Sequence, residues 1–140
     1  IQFEGRVQYL TEGKYKKLLN PYENLLIDGC HSIASAENLR NYLKTLKGPI
    51  YGIWGMQKNK LPVQFIKSFD KIFKRLITVT IPNEPNALKA DELKKIGEKY
   101  ILTSTANNIQ NALKQISSRE KKTVVIFGSL YLVGEVLGRN

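Results

Sequence analysis

Short apolar runs rich in β-branched and aromatic residues alternate along the chain with longer segments whose apolar residues recur at helical spacing. The runs cover residues 25–27, 50–54, 76–81 and 123–127. Because their apolarity is continuous rather than alternating, we predict strands covered on both faces, as in a parallel sheet. The helical stripes between them contain Ala36, Leu39, Leu43 and Leu46; Phe65, Ile66, Phe69, Ile72 and Phe73; Leu93, Ile96 and Tyr100; and Ile109, Ala112, Leu113 and Ile116.

This alternation of strands and helices predicts an α/β fold with a doubly wound, mostly parallel sheet and right-handed crossovers. Residues 6–10 are predicted to add an edge strand or hairpin, and the Lys-rich residues 11–21 an exposed turn. Two prolines predict a loop over residues 82–86. No repeat, low-complexity tract or linker divides the chain, so residues 1–140 are predicted to form a single domain.

The composition is that of an ordinary globular protein, with 42% hydrophobic and 24% charged residues. No apolar run approaches the roughly 20 residues that a membrane helix needs, and the first residues do not resemble a secretion signal. Position 1 is not Met, so we expect an excised domain or a processed fragment. Cys30 and His31 are the only cysteine and histidine, which excludes an intrachain disulfide and argues against a metal site. A cytoplasmic protein without a membrane partner fits these features.

The formal net charge of +10, with a pI near 9.7, favours anionic partners such as nucleotides, phospholipid head groups or nucleic acid. The lysines are scattered along the chain among many Asn and Ile residues, which is typical of a genome-wide compositional bias. A specific nucleic-acid function is therefore not the expected one.

Polar and glycine residues follow the apolar runs, where ligands bind in open α/β sheets. The most informative segment is 28–32, Asp-Gly-Cys-His-Ser. An Asp at a strand end can accept hydrogen bonds from ribose hydroxyls, a His can donate one to phosphate, and Ser32 could cap the next helix. An ordinary Asp-Gly turn explains the same residues, so both interpretations stay open.

Two further strand ends carry the same ambiguity. Gly128-Ser129 either lets the backbone approach a ligand closely or only lets a helix pack on the sheet. Lys58 and Lys60 follow another run, where solvated lysines are the default and phosphate contact is the alternative.

Several catalytic patterns are absent from the sequence. It contains no Gly-x-x-x-x-Gly-Lys-Ser/Thr loop and no Gly-x-Gly-x-x-Gly after a strand, so it lacks a standard phosphate or dinucleotide cradle. Ser129, His31 and Asp28 are the residue types of a hydrolase catalytic triad, but Ser129 does not lie in a Gly-x-Ser-x-Gly elbow. Asp28 and His31 also share one short turn. A hydrolase is therefore rejected.

Together the strand-end residues resemble the C-terminal domain of the dihydrofolate synthase/folylpolyglutamate synthase family, which is related to the Mur ligases. The family's Gly-Arg strand is matched by residues 5–8, and its Asp-Gly-Ala-His-Asn-Pro turn by residues 27–33. A Gly-Met segment is matched by residues 55–56 with Lys60. The closing Gly-Ser-Leu-Tyr-Leu-Val-Gly-Glu is matched at every position of 128–135, so the resemblance covers nearly the whole chain.

The resemblance implies a Rossmann-like three-layer sandwich of the Mur ligase C-terminal type, with helices on both faces of the sheet. It also implies an ATP-dependent ligase that adds L-glutamate to dihydropteroate or a folate through an acyl phosphate. In that family a larger N-terminal ATPase domain carries the phosphate loop and the ligands of Mg²⁺. That domain, ATP, L-glutamate and a pteroate or folate are thus the expected partners, and this chain alone is expected to be inactive.

Four residues receive roles from the same resemblance. Arg6 and Asp28 would bind ATP, through its phosphates and its ribose respectively. His31 would be catalytic, near the transferred phosphate or the incoming glutamate, and Ser129 would bind the glutamate. No residue of this chain is assigned as a metal ligand.

The chain departs from the family's pattern at five positions. The family's Asn and Pro after the His are Ser32 and Ile33 here, and the acidic pair that flanks the Lys of the Gly-Met segment has become Asn59 and Leu61. Asn86 replaces the Arg of a Pro-Arg loop, so a positive charge is lost there. These departures favour one alternative, a non-catalytic remnant of the ligase with the same fold. A second alternative is a basic nucleic-acid-binding module, which predicts lysines that converge on one face.

Overall fold

The computed structural model describes residues 6–140 and has a strand-helix alternation over most of that range. Within it the strands are β1 (Gln8–Leu10), β2 (Glu23–Asp28), β3 (Ile50–Trp54), β4 (Arg75–Thr78), β5 (Thr103–Thr105) and β6 (Lys122–Phe127). The helices are α1 (Ile33–Leu43), α2 (Pro62–Lys67), α3 (Ala90–Gly97), α4 (Ile109–Ile116) and α5 (Leu130–Arg139), with a 3-10 turn at Lys16–Leu18. Gly5, of the predicted Gly-Arg motif, lies outside the described residues.

The strands form one sheet in the order β1-β2-β6-β3-β4-β5. β1 is antiparallel to β2, and every other pairing is parallel. The chain builds the sheet outward from β2 through β3 and β4 to β5, and then returns to insert β6 between β2 and β3. Such a reversal of strand order opens a crevice at the carboxyl ends of the strands that flank it.

The sheet has an apolar core on each face. Alternate residues of a strand point to opposite faces, so Leu25 and Ile27 of β2 join one core while Leu26 joins the other. The first core contains residues of α4 and α5, and the second contains residues of α1, α2 and α3. The predicted three-layer sandwich with helices on both faces is therefore confirmed.

Aromatic rings fill the second core beneath α2. The ring of Phe127, the last residue of β6, lies 5.0 Å from Phe69, 5.1 Å from Phe73 and 5.9 Å from Phe65 between centroids. Trp54, the last residue of β3, stacks on Phe65 at 6.3 Å. Because pairs at such distances attract beyond their buried area, the cluster holds the carboxyl ends of β3 and β6 in place.

Two local predictions were wrong. Strand β5 was not predicted, because its Thr-Ser-Thr sequence has no apolar run; it forms by adding a parallel edge to β4. Residues 11–21 were predicted to be an exposed turn, but Tyr15 and Leu19 are buried in the core beneath α4 and α5. Several lysines lie close to both residues in the sequence, so the local pattern is that of an exposed segment.

A buried ion pair lies at the amino ends of β2 and β6, which is the end of the sheet opposite to the crevice. Glu23 and Lys122 are paired in register, and Lys122 Nζ donates to Glu23 Oε2 at 3.0 Å with both side chains at most 1% exposed. Lys122 Nζ also donates to Ile116 O and Ser118 Oγ, and the carboxylate accepts from Asn20 N, Ser117 Oγ and Ser118 N. The pair is thus fully hydrogen-bonded, as a buried pair must be to persist.

The environment of Glu23 favours its charged form. Burial alone would raise the pKa of the carboxyl group, but the hydrogen bonds from Asn20, Ser117, Lys122 and Ser118 together outweigh burial and lower it. The stabilisation from this carboxylate is therefore complete above the pKa of the unfolded chain, and it is lost as the pH falls through the lower folded value.

Replacing Glu23 by Gln should leave the Lys122 ammonium group buried without its charge partner. Loss of one member of a buried pair costs roughly 3–5 kcal/mol, so we expect a lower free energy of unfolding at neutral pH in a urea titration. The difference from the wild type should shrink as the pH falls, because protonation of Glu23 removes the same interaction.

Glu120→Gln is the matched control, because Glu120 forms an exposed ion pair with Lys74. It should leave the urea midpoint almost unchanged. Equal effects of the two substitutions would contradict a stabilising role specific to the buried pair.

Candidate functional site

Three turns converge where β2, β6 and β3 end. Asp28 and Trp54 are both paired in register with Phe127, so the loops that follow the three strands leave the sheet side by side. Gly128 has a φ of +110°, and a Cβ there would overlap the carbonyl oxygen of Gly55 and lie 2.6 Å from Trp54 Cδ1. Only glycine fits this position, because it alone adopts such a φ readily and leaves room for the neighbouring turn.

Gly29 serves the same purpose on the other side of β6. A Cβ at this position would overlap the side chain of Leu130, in the first turn of α5. The β2–α1 turn therefore lies directly against the start of α5. The packing of the turns therefore requires glycine at position 128, whereas at position 29 a larger residue would displace the Leu130 side chain.

A cleft of about 360 Å³ opens between these turns. It is lined by His31, Gln57, Asn59, Lys60, Asn86, Ser129, Leu130 and Tyr131. The lining contains a lysine, a histidine and three amide side chains, and it contains no carboxylate. Such a set of donors suits an anionic group, and the N-terminus of α5 adds a favourable dipole.

The cleft brings together His31 and Ser129, which the sequence singled out on separate turns. It also contains Lys60, Gln57 and Asn86, none of which was assigned a role in the site. Lys60 had been noted as a possible phosphate contact and as part of the Gly-Met motif, and Asn86 as a departure from the family's pattern. Gln57 had no signal beyond its position after a strand end, which an exposed loop explains equally well. Lys60 is half-buried, in contrast to its neighbours Lys58 and Asn59, which are exposed.

His31 is held by the backbone around it. Its Nδ1 lies 3.2 Å from the carbonyl oxygen of Gly29, and since a carbonyl can only accept, Nδ1 carries the hydrogen in this contact. The other ring nitrogen, Nε2, is then left to accept a proton or, when the ring is protonated, to donate one. The backbone thus fixes Nδ1 of the half-buried imidazole, and Nε2 remains available for proton transfer.

Ser32 caps α1, as the sequence predicted. Its Oγ accepts from Ser35 N at 3.1 Å, and Ser35 Oγ accepts from Ser32 N at 3.0 Å, so the two serines form a capping box. Asn and Ser are about equally good N-caps, so the departure from the family's Asn keeps this local function.

Ser129 caps α5 in a similar way. Its Oγ accepts from Tyr131 N at 3.0 Å, and the residue is almost completely buried. Ser129 therefore has a structural role at the helix terminus in addition to any contact with a ligand.

Arg6 and Asp28, the residues predicted to bind ATP, bind each other. Arg6 Nε donates to Asp28 Oδ1 at 3.0 Å, and the same carboxylate accepts from Val7 N at 3.1 Å and from Cys30 N at 2.8 Å. The Asp28 side chain is 1% exposed, whereas that of Arg6 is 37% exposed. Neither lines the cleft of His31 and Ser129.

Cys30 is buried between the turns and is chemically quiet. Burial, and secondly the charge of Asp28, raise the pKa of its thiol well above the usual value, so the reactive thiolate is disfavoured. Among residues 6–140 no three His, Cys, Asp or Glu side chains are grouped to hold a metal ion. Because Mg²⁺ prefers carboxylate oxygens, the residues of the cleft do not fit it.

Exposed apolar side chains lie around the cleft. Leu130 and Tyr131 line it and are 50% and 60% exposed, and Leu61, next to Lys60, is 57% exposed. Ile33 and Val63, which follow the cleft residues His31 and Lys60 closely in the sequence, are also exposed. An apolar surface around a polar centre is typical of a face that another protein domain covers.

A broader groove of about 790 Å³ adjoins the cleft. It is lined by residues 80–85 and by Asn107 and Asn108, at the carboxyl ends of β4 and β5. Pro85 lines this groove and Asn86 lines the cleft, so the two share a border. A third groove, of about 740 Å³, lies at β1 and the Lys-rich loop, away from this edge of the sheet. Within residues 6–140, the helices are all too short or too polar to cross a membrane.

The chain matches the family model for the C-terminal domain of dihydrofolate synthetase over residues 11–139. No curated protein sequence is significantly similar to it. A solved folylpolyglutamate synthase from Thermotoga maritima is 24% identical with a TM-score of 0.80, over 98% of this chain and 30% of that one. E. coli FolC in complex with DHPP and ADP is 17% identical with a TM-score of 0.77, over 97% and 31%.

A third structure has a similar degree of likeness. It is a bifunctional folylpolyglutamate synthase/dihydrofolate synthase with Mn, AMPPNP and L-glutamate bound, 19% identical with a TM-score of 0.77, over 98% of this chain and 31% of that one. The chain therefore spans less than a third of the length of these three proteins. At these identities the likeness establishes the fold.

The packing of the turns predicts opposite changes in stability when Gly128 and Gly134 are each replaced by alanine. Gly128→Ala should lower the free energy of unfolding by about 2–5 kcal/mol, because the methyl group is strained at a positive φ and overlaps the Gly55 carbonyl. Gly134→Ala, in α5 with no atom near its Cβ position, should instead be stabilising by about 0.5–1 kcal/mol.

Chemical denaturation of the two variants beside the wild type measures both changes. If Gly128→Ala were as stable as Gly134→Ala, the close contact between the β6–α5 and β3–α2 turns would be refuted.

Proposed function

Because the chain belongs to the family of dihydrofolate synthetase C-terminal domains, we propose that it closes the nucleotide site of an ATP-dependent ligase. The reaction is the attachment of L-glutamate to dihydropteroate or a folate through an acyl phosphate. The observation that carries the proposal is the cleft at the strand-order reversal, where Lys60, His31 and the N-terminus of α5 converge without a carboxylate. Bound ADP, AMPPNP and L-glutamate in the solved relatives support the same substrates.

We propose that residues 1–140 are one C-terminal domain and that an N-terminal ATPase domain completes the enzyme. Three observations support this division. The sequence has no phosphate loop, the cleft does not fit Mg²⁺, and the chain spans less than a third of its solved relatives. The exposed Leu61, Leu130 and Tyr131 suit a face that the other domain covers.

The chemistry of the cleft fits the second half of such a reaction. The acyl phosphate and glutamate are both anionic, and the attack of the amine on the acyl carbon releases phosphate. Lys60 supplies a fixed positive charge, and His31 supplies a ring nitrogen that can hold a proton near the leaving phosphate or the incoming amine. Positioning and charge stabilisation dominate phosphoryl chemistry, so a domain that adds these two groups on closure contributes to catalysis without a loop of its own.

Arg6 and Asp28 are proposed to serve the nucleotide. The Arg6 guanidinium is partly exposed at the edge of the turn and suits a phosphate, while Asp28 is the residue that the family resemblance pairs with the ribose. Since Asp28 already accepts three hydrogen bonds and is buried, a ribose contact requires some movement of Arg6 or Val7. Ser129, at the cap of α5, borders the glutamate.

The five departures from the family's pattern differ in their consequences. Ser32 keeps its capping role, and Ile33 and Leu61 are exposed apolar residues. Asn59 and Asn86 line the cleft, where a loss of charge bears on the ligand directly. These two residues are the observation that favours the alternative, a remnant with the same fold and impaired nucleotide or glutamate binding.

The nucleic-acid alternative has less support. It requires lysines that converge on one face, but the lysines occur at both ends of the sheet and on the helices. Lys58 and Lys60 lie at the carboxyl edge, Lys44 and Lys121 precede strands at the opposite edge, and Lys114 lies on α4.

The direct test is ATP-dependent attachment of glutamate to dihydropteroate and to tetrahydrofolate by the chain extended through its preceding domain. We expect product from the extended protein and none from the 140-residue chain alone, because the phosphate loop is missing from the latter. Metal-dependent ATP hydrolysis by the pure 140-residue chain would contradict this account. A folded but inactive extended protein would establish the remnant instead.

Within the extended protein, His31→Ala and Lys60→Ala should each lower kcat/KM by roughly a hundredfold, since general acid–base and electrostatic contributions are typically of that size. Lys44→Ala, at the opposite edge of the sheet, is the matched control and should turn over normally. Normal turnover by either cleft variant would remove that residue from the mechanism.

A further inference from the structure

A groove of about 740 Å³ lies at the amino end of β2, at the opposite edge of the sheet from the candidate cleft. It is bounded by β1, by the first residues of β2 and by the β1–β2 loop (residues 11–22). Volumes of this order are typical of sites for small molecules. None of the residues that line the groove lines the cleft, so its chemistry is independent of the proposed ligase site.

The β1–β2 loop is anchored at two points, so the groove is preformed. Near the start of the loop, the Asn140 side chain accepts a hydrogen bond from Tyr15 N at 3.2 Å and donates one to the Glu12 carbonyl oxygen at 3.2 Å. Near its end, the Asn20 side chain donates to the Ser118 carbonyl oxygen at 2.8 Å. These contacts tie the loop to the end of α5 and to the segment before β6. A ligand therefore loses little free energy in ordering the loop.

The floor of the groove is apolar. Leu10, Leu19 and Leu25 line it and belong to the core beneath α4 and α5. Tyr9, which also lines the groove, is 38% exposed and adds an aromatic surface. An apolar group that covers these side chains removes their surface from water, and this burial favours binding.

Two lysines of the 3-10 turn, Lys16 and Lys17, line the groove and give it a positive charge. Within residues 6–140 neither of them forms an ion pair. Lys16 Nζ donates to the Asn20 carbonyl oxygen at 3.2 Å, which holds the ammonium group in place and leaves two of its three N–H groups for a ligand. Glu12 is the one carboxylate among the described lining residues, so the lining keeps a net positive charge.

We propose that this groove is a second binding site, which takes an organic carboxylate with an apolar body. The body covers the leucines of the floor, and the carboxylate binds Lys16 and Lys17. An inorganic anion would leave the apolar floor in water, and a neutral hydrocarbon would gain nothing from the lysines. Two kinds of molecule have the required chemistry: an aliphatic acid, and an aromatic acid such as a pteroate.

Isothermal titration of the 140-residue chain with octanoate, octanol and dihydropteroate tests the proposal. Octanoate should bind at least about fivefold more tightly than octanol, because its carboxylate gains charge-assisted hydrogen bonds that a hydroxyl group does not. The tighter of the two acids, octanoate or dihydropteroate, identifies the aliphatic or the aromatic kind of ligand. Equal affinities for octanoate and octanol, or failure of both acids to bind at about 1 mM, would overturn the proposal.

Lys16→Gln combined with Lys17→Gln should weaken octanoate binding by about fivefold and leave octanol binding unchanged, because only the carboxylate uses the lysines. The matched control is Lys95→Gln combined with Lys99→Gln. These two lysines are exposed, and they lie on and just after α3, which packs against β4 and β5 at the far end of the sheet from β1. Equal losses in the two double variants would mean that octanoate responds only to the net charge, and the site would be refuted.

Glu12→Gln keeps both lysines and reverses the sign of the expected effect. Removal of this carboxylate should tighten octanoate binding by about twofold, and weaker binding would contradict the assigned role of charge. A nitrogen-15 NMR titration with octanoate locates the ligand in the wild type. The amide signals of Thr11 and Gly13 should shift, whereas that of Gln57, in the cleft, should not. Shifts at the cleft and none at the groove would overturn the assignment of the site.

Discussion

Strand β6 is buried along its whole length between β2 and β3, and it pairs with both in parallel. This double pairing sets the register of the central sheet, so that Asp28, Phe127 and Trp54 end their strands at one level. The turns that follow must then share a small volume. Gly29, Gly55 and Gly128 make that possible, because each stands where a Cβ would press on a neighbouring turn or helix. The candidate cleft lies between these closely packed turns.

The charged side chains at the two ends of β2 and β6 differ in how completely protein partners satisfy them. At the amino end, Glu23 and Lys122 are buried and satisfy each other and their neighbours completely. At the carboxyl end, Asp28 is also buried and paired with Arg6, but the cleft beside this pair is lined by Lys60 and His31 and by no carboxylate. A satisfied pair stabilises a fold and has nothing left for a ligand, whereas an unpaired cation such as Lys60 in a concave site attracts an anion. The asymmetry separates the part of the sheet that supports the structure from the part that serves the proposed reaction.

Two side chains at the carboxyl edge are each held at one nitrogen before any ligand binds. His31 has one ring nitrogen fixed by the Gly29 carbonyl, and Arg6 has its Nε fixed by Asp28. In both cases a backbone or buried acceptor holds one side of the group, and the other side can meet a substrate. The exposed apolar side chains of Leu130 and Tyr131 also line this polar centre. These features support the proposal that this chain is a preformed half of a site and that a second domain completes it.

What the sequence alone determined was mostly local. Continuous apolar runs, helical stripes and glycine-bearing turns are encoded within a few residues of one another, so the α/β class, the main strands, the Ser32 cap and the position of the site at the strand ends could be predicted. Tyr15 and β5 were missed because their burial and pairing depend on elements distant in sequence. Only the tertiary structure decided that Lys60 and Asn86 share a cleft with His31, and that Arg6 pairs with Asp28. The physical reason is strand order: which turns become neighbours depends on how the whole sheet packs, and no local pattern contains that information.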